Sequence, residues 1–197
     1  EALKQVIPKD LSAAEISVRL GTTWIPQEDI QQFVMELLTP SQYARGKIKV
    51  RYTEFNGDWF IENKSSDFDN VKANSTYGTK RASAYRIIED TLNLRDVRIF
   101  DYVYDEHGNK KAVFNAKETT AAQAKQEAIK QAFADWIWKD PERRNRLVRY
   151  YNDTFNCIRP REYDGSHITF GGISPEITLR PHQVNAIAHI LYGGNTL

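Results

Sequence analysis

Asn56-Gly57 stands between two short runs, Lys47-Ile-Lys-Val-Arg-Tyr-Thr-Glu54 and Trp59-Phe-Ile61. The first run alternates polar and apolar residues, the period of a half-buried strand. Asn-Gly is the dipeptide that most readily takes positive φ at both central positions of a tight turn. The chain is therefore expected to fold back here as an antiparallel hairpin. A second hairpin is expected from Val97–Tyr104 and Lys111–Phe114, which flank His107-Gly108-Asn109.

Helical signals surround these hairpins. Ser12-Ala-Ala-Glu15 reads as a capping box that opens a short helix ending at Gly21. Pro26 opens a second helix with Ile30, Phe33, Val34, Leu37 and Leu38 on its buried side, and Pro40 ends it. Residues 64–74 are polar and read as a loop. Ala82, Tyr85, Ile87, Ile88 and Leu92 mark a third helix. Thr120-Ala-Ala-Gln123 reads as another capping box, opening a long helix with the stripe Ile129, Ala132, Phe133, Trp136 and Ile137. Asp140-Pro141 breaks that helix and starts the next, with Asp as cap and Pro as first residue. Residues 159–176 carry Pro and Gly turns without helical period and read as a connector. Pro181 then opens a last helix, with Val184, Ile187, Ile190 and Leu191 as its apolar stripe and Gly193-Gly194 at its end. The expected class is α+β: two small antiparallel hairpin sheets packed with several helices.

The bulk numbers narrow the function classes. With 27 Lys+Arg against 26 Asp+Glu over 197 residues, no global field draws in polyanions, so any nucleic-acid contact has to come from local clusters. Cys157 stands alone, which excludes an intramolecular disulfide and a thiolate metal site and points to a cytoplasmic setting. No apolar run is long enough for a membrane span. Glu1 in place of an initiator methionine leads to the expectation that the chain is a piece of a longer polypeptide.

Three basic clusters are candidates for DNA contact. Pro141–Tyr151 places Arg146 and Arg149 opposite Leu147, Val148, Tyr151 and Phe155, with Arg143 and Tyr150 flanking. Arg144 falls on the apolar side, where it is expected to meet a buried carboxylate or a domain neighbour. Glu142 and Asp153 lie four residues from Arg146 and Arg149, so a solvated, ion-paired helix face explains the same pattern. Lys47, Lys49 and Arg51 alternate along the first strand and give it a cationic face, which either tracks a phosphate backbone or only blunts edge pairing. Gly78 ahead of a helix, with Lys80 and Arg81 in its first turn, either binds phosphate at a helix N-terminus or is a plain turn.

Other constellations carry less. Asp58 with Glu62-Asn63-Lys64 has the residue types of a Mg²⁺-dependent nuclease, although Asp58 sits in the turn itself. His107, His167, His182 and His189 have no metal-ligand spacing, and Asp164-Gly-Ser-His167 reads as a turn. No metal ligands and no catalytic residues are assigned. Gln183 lies at the edge of the last helix's stripe, half turned to the core, so its amide either caps neighbouring backbone or holds a ligand.

Leu179-Arg180-Pro181-His182-Gln183, the amphipathic helix after it and Gly193-Gly194-Asn195-Thr196-Leu197 together resemble the Q-motif that opens a superfamily-two helicase or translocase. More narrowly, four stretches resemble the region ahead of the motor in very large methyltransferase–helicase polypeptides of bacterial mobile elements. They are Trp24-Ile25-Pro26, Tyr77–Arg81, Tyr151-Asn152-x-x-Phe155-Asn156 and Tyr163-Asp164-Gly165-Ser166-His167. The resemblance implies a division into an α+β accessory module (1–158), a connector (159–176) and the first helix of a RecA-like motor (177–197), cut before its Walker A loop. No G-x-x-x-x-G-K-[ST] occurs in the chain. It further implies that Gln183 reads the adenine edge of ATP, with Arg180 beside it. Since Ser166 stands seventeen residues before Gln183, Phe170 or Ile177 is left to stack on the base.

These readings combine into a non-catalytic piece of an ATP-dependent DNA helicase, which contacts DNA or braces the motor. Its implied partners are DNA and the rest of the same polypeptide. No cofactor is expected on the piece alone, and ATP with Mg²⁺ is expected in the full protein. The alternatives are a protein-interaction spacer between a DNA methyltransferase and the motor, or a Mg²⁺-dependent nuclease domain of a restriction-type motor subunit.

Overall fold

A computed structural model describes residues 8–104, 109–157, 162–172, 174 and 176–193. The chain divides into two compact units, residues 10–155 and residues 1–9 with 156–197. The first unit contains α1 (Gln27–Leu38), α2 (Gln42–Lys47), β1 (Lys49–Thr53), β2 (Asp58–Glu62), α3 (Ala84–Leu92), β3 (Phe100–Tyr104), β4 (Lys110–Phe114), α4 (Ala116–Ile137) and α5 (Pro141–Thr154). The second contains α6 (Pro181–Gly193). Among the described residues β1 pairs only with β2 and β3 only with β4, both antiparallel, so the class is α+β with two two-stranded sheets.

Several elements differ from the sequence expectation, each for a local reason. The Thr53↔Asp58 register leaves a four-residue loop rather than the two-residue turn that Asn56-Gly57 suggests. Gly57 takes φ 71° there, and its N–H donates to the Thr53 carbonyl at 2.9 Å. Lys47 belongs to α2, not to the strand, because the Ser41 hydroxyl accepts from the Ala44 N–H and starts a helix. Ser12 donates both its N–H and its hydroxyl to the Glu15 carboxylate, yet only a turn follows them. α4 begins before Thr120, at an Asn115 cap that accepts from the Glu118 N–H at 3.0 Å. The expected loop at 64–74 instead holds one 3-10 turn (Lys64–Asp67) and one π turn (Lys72–Thr76). Buried Asp67 organises it, accepting from the Tyr85 hydroxyl, the Asn70 side chain and the Ser41 N–H. Burial, then the hydrogen bond to Asp67, push the Tyr85 phenol above its ordinary range.

The helices pack on an apolar core that includes Ile30, Phe33, Val34, Leu38, Ile87, Ile88, Leu92, Ile129, Phe133 and Ile137. Phe33 of α1 meets Phe133 of α4 edge to face at 5.0 Å and Trp136 at 5.4 Å. Such ring pairs contribute about 0.5–1.5 kcal/mol beyond the area they bury.

Two-stranded sheets leave both outer edges unpaired, and here helix side chains stand in for the missing strands. Gln31 accepts from the Val50 N–H and donates to the Ile48 carbonyl, while Gln27 accepts from the Tyr52 N–H. On the far edge, Glu89 accepts from the Ile61 N–H, and Asn93 exchanges two bonds with the backbone of Trp59. Thr119, Gln123 and Gln126 of α4 do the same for Val97 and Ile99, ahead of β3. Residues four apart on a helix rise about 6.0 Å. Alternate residues of a strand lie about 6.8 Å apart, so an i,i+4 pair of short polar side chains matches the strand repeat. Gln31→Ala is expected to strand the Val50 N–H and to cost about 1–3 kcal/mol, measured by urea unfolding followed through tryptophan fluorescence. The exposed Gln32→Ala should change little.

Candidate functional site

The arginine-rich helix α5 forms as its sequence directs. Asp140 caps it, accepting from the Arg143 N–H at 2.7 Å, and Pro141 occupies the first turn. Leu147 is buried, Val148 and Tyr151 are half-buried, and Phe155 is exposed rather than packed. The buried arginine is Arg143, 6% exposed, and not Arg144, which is exposed. Arg143 donates to the carbonyls of Trp136 and Ile137 and lies 3.5 Å from the Trp136 ring centroid. It thus closes the C-terminus of α4, where a cation is favoured. A phosphate cannot reach a guanidinium occupied in this way.

Arg146 grips Asp29 of α1 through two nitrogens, at 2.6 and 3.1 Å. Asp29 is 3% exposed, so this pair joins α5 to α1 rather than facing solvent freely. The hydrogen bond to Asp29 raises the guanidinium pKa. Arg149 bonds Asp153 at 2.8 Å, as the i,i+4 spacing suggests, and lies 3.9 Å from Asp10. Tyr150 is exposed, edge-on to Phe155. The solvated, ion-paired reading of this helix therefore accounts for most of its charge.

The second cluster is divided between two elements. Lys47 ends α2 and lies 3.8 Å from the Tyr43 ring centroid, whereas Lys49 and Arg51 are exposed on β1. Arg51 faces Glu62 of β2 at 3.5 Å, a loose exposed pair of little energetic weight. Lys80 and Arg81 precede α3 by several residues instead of occupying its first turn. Arg81 is drawn to the base of β3, donating to the Phe100 carbonyl at 3.0 Å and pairing with Asp101 at 2.7 Å. Gly78 is required there because a Cβ would lie 2.1 Å from the Ala73 carbonyl oxygen.

The nuclease constellation does not assemble. Asp58 and Glu62 stand at opposite ends of β2, a separation of about 13 Å along a strand. Asp58 pairs with Arg95, Glu62 with Arg51, and Lys64 with Glu89. No group of three or more His, Cys, Asp or Glu among the described residues could hold a metal ion. No described helix is long and apolar enough to cross a membrane.

In the second unit, Gln183 is exposed rather than half turned to a core, and its Oε1 accepts from the Arg180 N–H at 2.8 Å. The amide thus caps its own helix, while its Nε2 end has no partner among the described residues. Arg180 is exposed and Phe170 half-buried. Ala188 is buried and Val184 and Ile187 half-buried, while Ile190 and Leu191 stay exposed. Tyr163–His167 folds onto α6. Gly165 donates to the Asn185 side chain at 3.0 Å, Tyr163 stacks on His189 at 4.5 Å, and His167 stacks on Tyr192 at 5.9 Å. Only glycine fits at 165, where a Cβ would meet the Val184 carbonyl oxygen at 2.3 Å. Ser166 donates both its N–H and its hydroxyl to Asp164, which lowers the Asp164 pKa and closes the expected turn. Tyr163, His182, Asn185, Ala186 and His189 line a shallow cavity of about 300 Å³. The sequence reading did not assign this hollow, and the alternation of His182, Asn185 and His189 on one helix face was the available signal.

A family described as a domain of unknown function (DUF8437) matches residues 19–157, nearly the whole of the first unit. No curated protein and no solved structure matches the chain. Residue roles therefore rest on the chain's own geometry, and Arg146 separates a structural role from a DNA-binding one most cleanly. Arg146→Ala leaves the buried Asp29 carboxyl without its guanidinium partner, and is expected to lower stability by about 2–3 kcal/mol. Denaturant unfolding at neutral pH would measure it; an unchanged midpoint would return Arg146 to the solvent-facing class.

Proposed function

Because the chain belongs to the DUF8437 family, whose description names no activity, we propose a function from its own residues. It is the accessory region and first motor helix of an ATP-dependent DNA helicase or translocase, itself non-catalytic, working in the cytoplasm beside the rest of the same polypeptide. The α+β unit positions the motor, and α6 begins the nucleotide-binding domain.

The observation that carries this reading is the state of Gln183. Its amide stands in the first turn of a proline-opened helix, exposed, held by a single bond to its own helix. An amide so placed has one acceptor engaged by a backbone N–H that water could satisfy equally well. Turned outward, it can accept from one edge group of adenine and donate to the next, the same match that amides make to adenine in DNA. ATP and Mg²⁺ would be held mainly by residues of the motor itself.

The state of the basic clusters supports positioning over extensive DNA contact. Arg51, Arg81, Arg146 and Arg149 are each paired with a carboxylate, and Arg143 is buried. Lys47, Lys49, Lys80 and Tyr150 remain as the exposed candidates from those clusters. The second reading, a spacer between a methyltransferase and the motor, is favoured by the same internal pairing.

Two measurements separate these readings. In the full-length polypeptide, Gln183→Ala is expected to raise the KM for ATP about tenfold while leaving GTP turnover unchanged. An unaltered ATP KM sinks the motor assignment, as does a parent sequence without a lysine-bearing phosphate loop after Leu197. In the 197-residue chain, Lys47→Glu with Lys49→Glu should weaken salt-sensitive DNA binding. The spacer reading expects no effect.

A further inference from the structure

The β3–β4 hairpin presents an aromatic face that nothing in the described structure covers. In-register partners share a face of a two-stranded sheet. Here those partners are Phe100 with Phe114, Tyr102 with Ala112, and Tyr104 with Lys110. Burial alternates from Val97 to Tyr102, which puts Arg98, Phe100 and Tyr102 on the exposed side of one extended run, and the register adds Tyr104 to that face; Val103 on the other face is exposed as well. Tyr102 is 60% exposed, Tyr104 71% and Phe114 52%.

The base of this hairpin is clamped while its face is bare. Ile99 donates to the Thr119 hydroxyl and accepts from the Asn115 N–H, both at 2.9 Å. Asp101 is held by Arg81 at 2.7 Å and by the Asn115 side chain at 2.6 Å. Phe100 and Phe114 meet edge to face at 5.8 Å. An isolated two-stranded ribbon is marginal in water, so these anchors are what hold the rings in a fixed row.

Spacing and charge decide what that row fits. Alternate residues on a strand recur about every 6.8 Å, twice the stacked rise of about 3.4 Å per nucleotide in a duplex strand. Rings at this pitch match bases that have been drawn apart, not stacked base pairs. The face carries Arg98 at its base and Lys110 toward its tip, the latter with its ammonium 4.1 Å from the Tyr102 ring centroid. Among the described residues it carries no carboxylate, because Asp101 lies on the other side and is neutralised by Arg81. A phosphate would draw Lys110 off the ring and free it for a base.

We propose that this face is a stacking platform for single-stranded nucleic acid, with Tyr102, Tyr104 and Phe100 under the bases and Arg98 and Lys110 on the phosphates. It adds a site and a strand state to the DNA reading above, on which it rests, yet it is read by a separate experiment.

Fluorescence anisotropy of the whole chain with labelled oligothymidylate, at about 50 and 200 mM salt, tests it. The expected result is salt-sensitive binding of the single strand in preference to a duplex of equal length. Tyr102→Ala and Tyr104→Ala should each weaken it by roughly five- to hundredfold, and Tyr104→Phe should retain it. Lys110→Gln should lower the salt dependence. Val103→Ala, on the opposite face, should have no effect. All these positions are exposed, so circular dichroism should show each variant folded. Absent single-strand binding at low salt, a preference for duplex, or equal losses from Val103→Ala and Tyr102→Ala would each overturn the proposal. So would self-association in sedimentation that Tyr102→Ala removes, which would mark the face as a protein interface. If Tyr102→Ala weakens strand binding while Gln183→Ala leaves the ATP KM unchanged, the platform stands and the motor reading fails. The converse pair of results separates them the other way.

Discussion

A two-stranded sheet has as many unpaired edge groups as paired ones, and that deficit shapes this protein. Unpaired backbone groups sealed from water are costly, so something has to bond the outer edges of β1 and β2. Gln27 and Gln31 serve one edge and Glu89 and Asn93 the other, each pair spaced i,i+4 on a helix. Because each helix must lie along its strand for both bonds to form, the amides also set the angle and height at which α1 and α3 approach the sheet. Apolar burial supplies the drive for packing, and the polar pairs select one arrangement from many.

The same bonds explain which parts of the fold could be read in advance. α1, α3 and α5 announce themselves through apolar period, prolines and the Asp140 cap, all local signals. The β1–β2 pairing was visible through alternation and Gly57. What escaped depends on distant partners. Gln27, Gln31, Asn93 and Gln126 look like ordinary polar helix residues until a strand edge is set beside them. Asp67 looks like one more residue of a polar loop, yet its buried bonds to Tyr85, Asn70 and Ser41 order that stretch into turns. Lys47 alternates convincingly with Lys49 and Arg51, but the Ser41 cap places it at the end of a helix first. For the candidate sites, residue types were readable while their engagement was not: the sequence offers Arg143, Arg146 and Arg149 as equals, and only packing reveals that one is buried, one grips Asp29 and one bonds Asp153.

Within the first unit, Arg51, Lys64, Arg81, Arg86, Arg95, Lys130, Arg146 and Arg149 each pair with a carboxylate, so part of the basic charge is engaged internally. Arg146 with Asp29 and Lys64 with Glu89 involve partly or wholly buried carboxylates, where removing one partner leaves a costly remainder. Arg51 with Glu62 is exposed on both sides and contributes little. Counting basic residues along the sequence therefore overstates the surface available to a polyanion, and the overstatement is largest on α5, where the count looked most persuasive.

Against that economy, the places left unfinished stand out. The chain seals both edges of β1–β2, bonds the run before β3 to α4, and neutralises Asp101, so its capacity to satisfy exposed groups is not in question. Yet along β3 and β4 it leaves Phe100, Tyr102, Tyr104 and Phe114 open to water, and on α6 it leaves Ile190 and Leu191 so. Beyond cross-strand contacts such as Phe100 with Phe114, aromatic area exposed in a row opposes solubility. Phe55 and Phe68 are more exposed still, but they stand singly, whereas the hairpin residues form a row in register and Ile190 and Leu191 are adjacent on one helix. The two faces differ in kind: the α6 face is aliphatic, suited to a packed protein core, whereas the hairpin face is aromatic and edged with cations. On that difference in chemistry, the proposed nucleic-acid strand belongs with the hairpin face, and a protein surface would suit the α6 face.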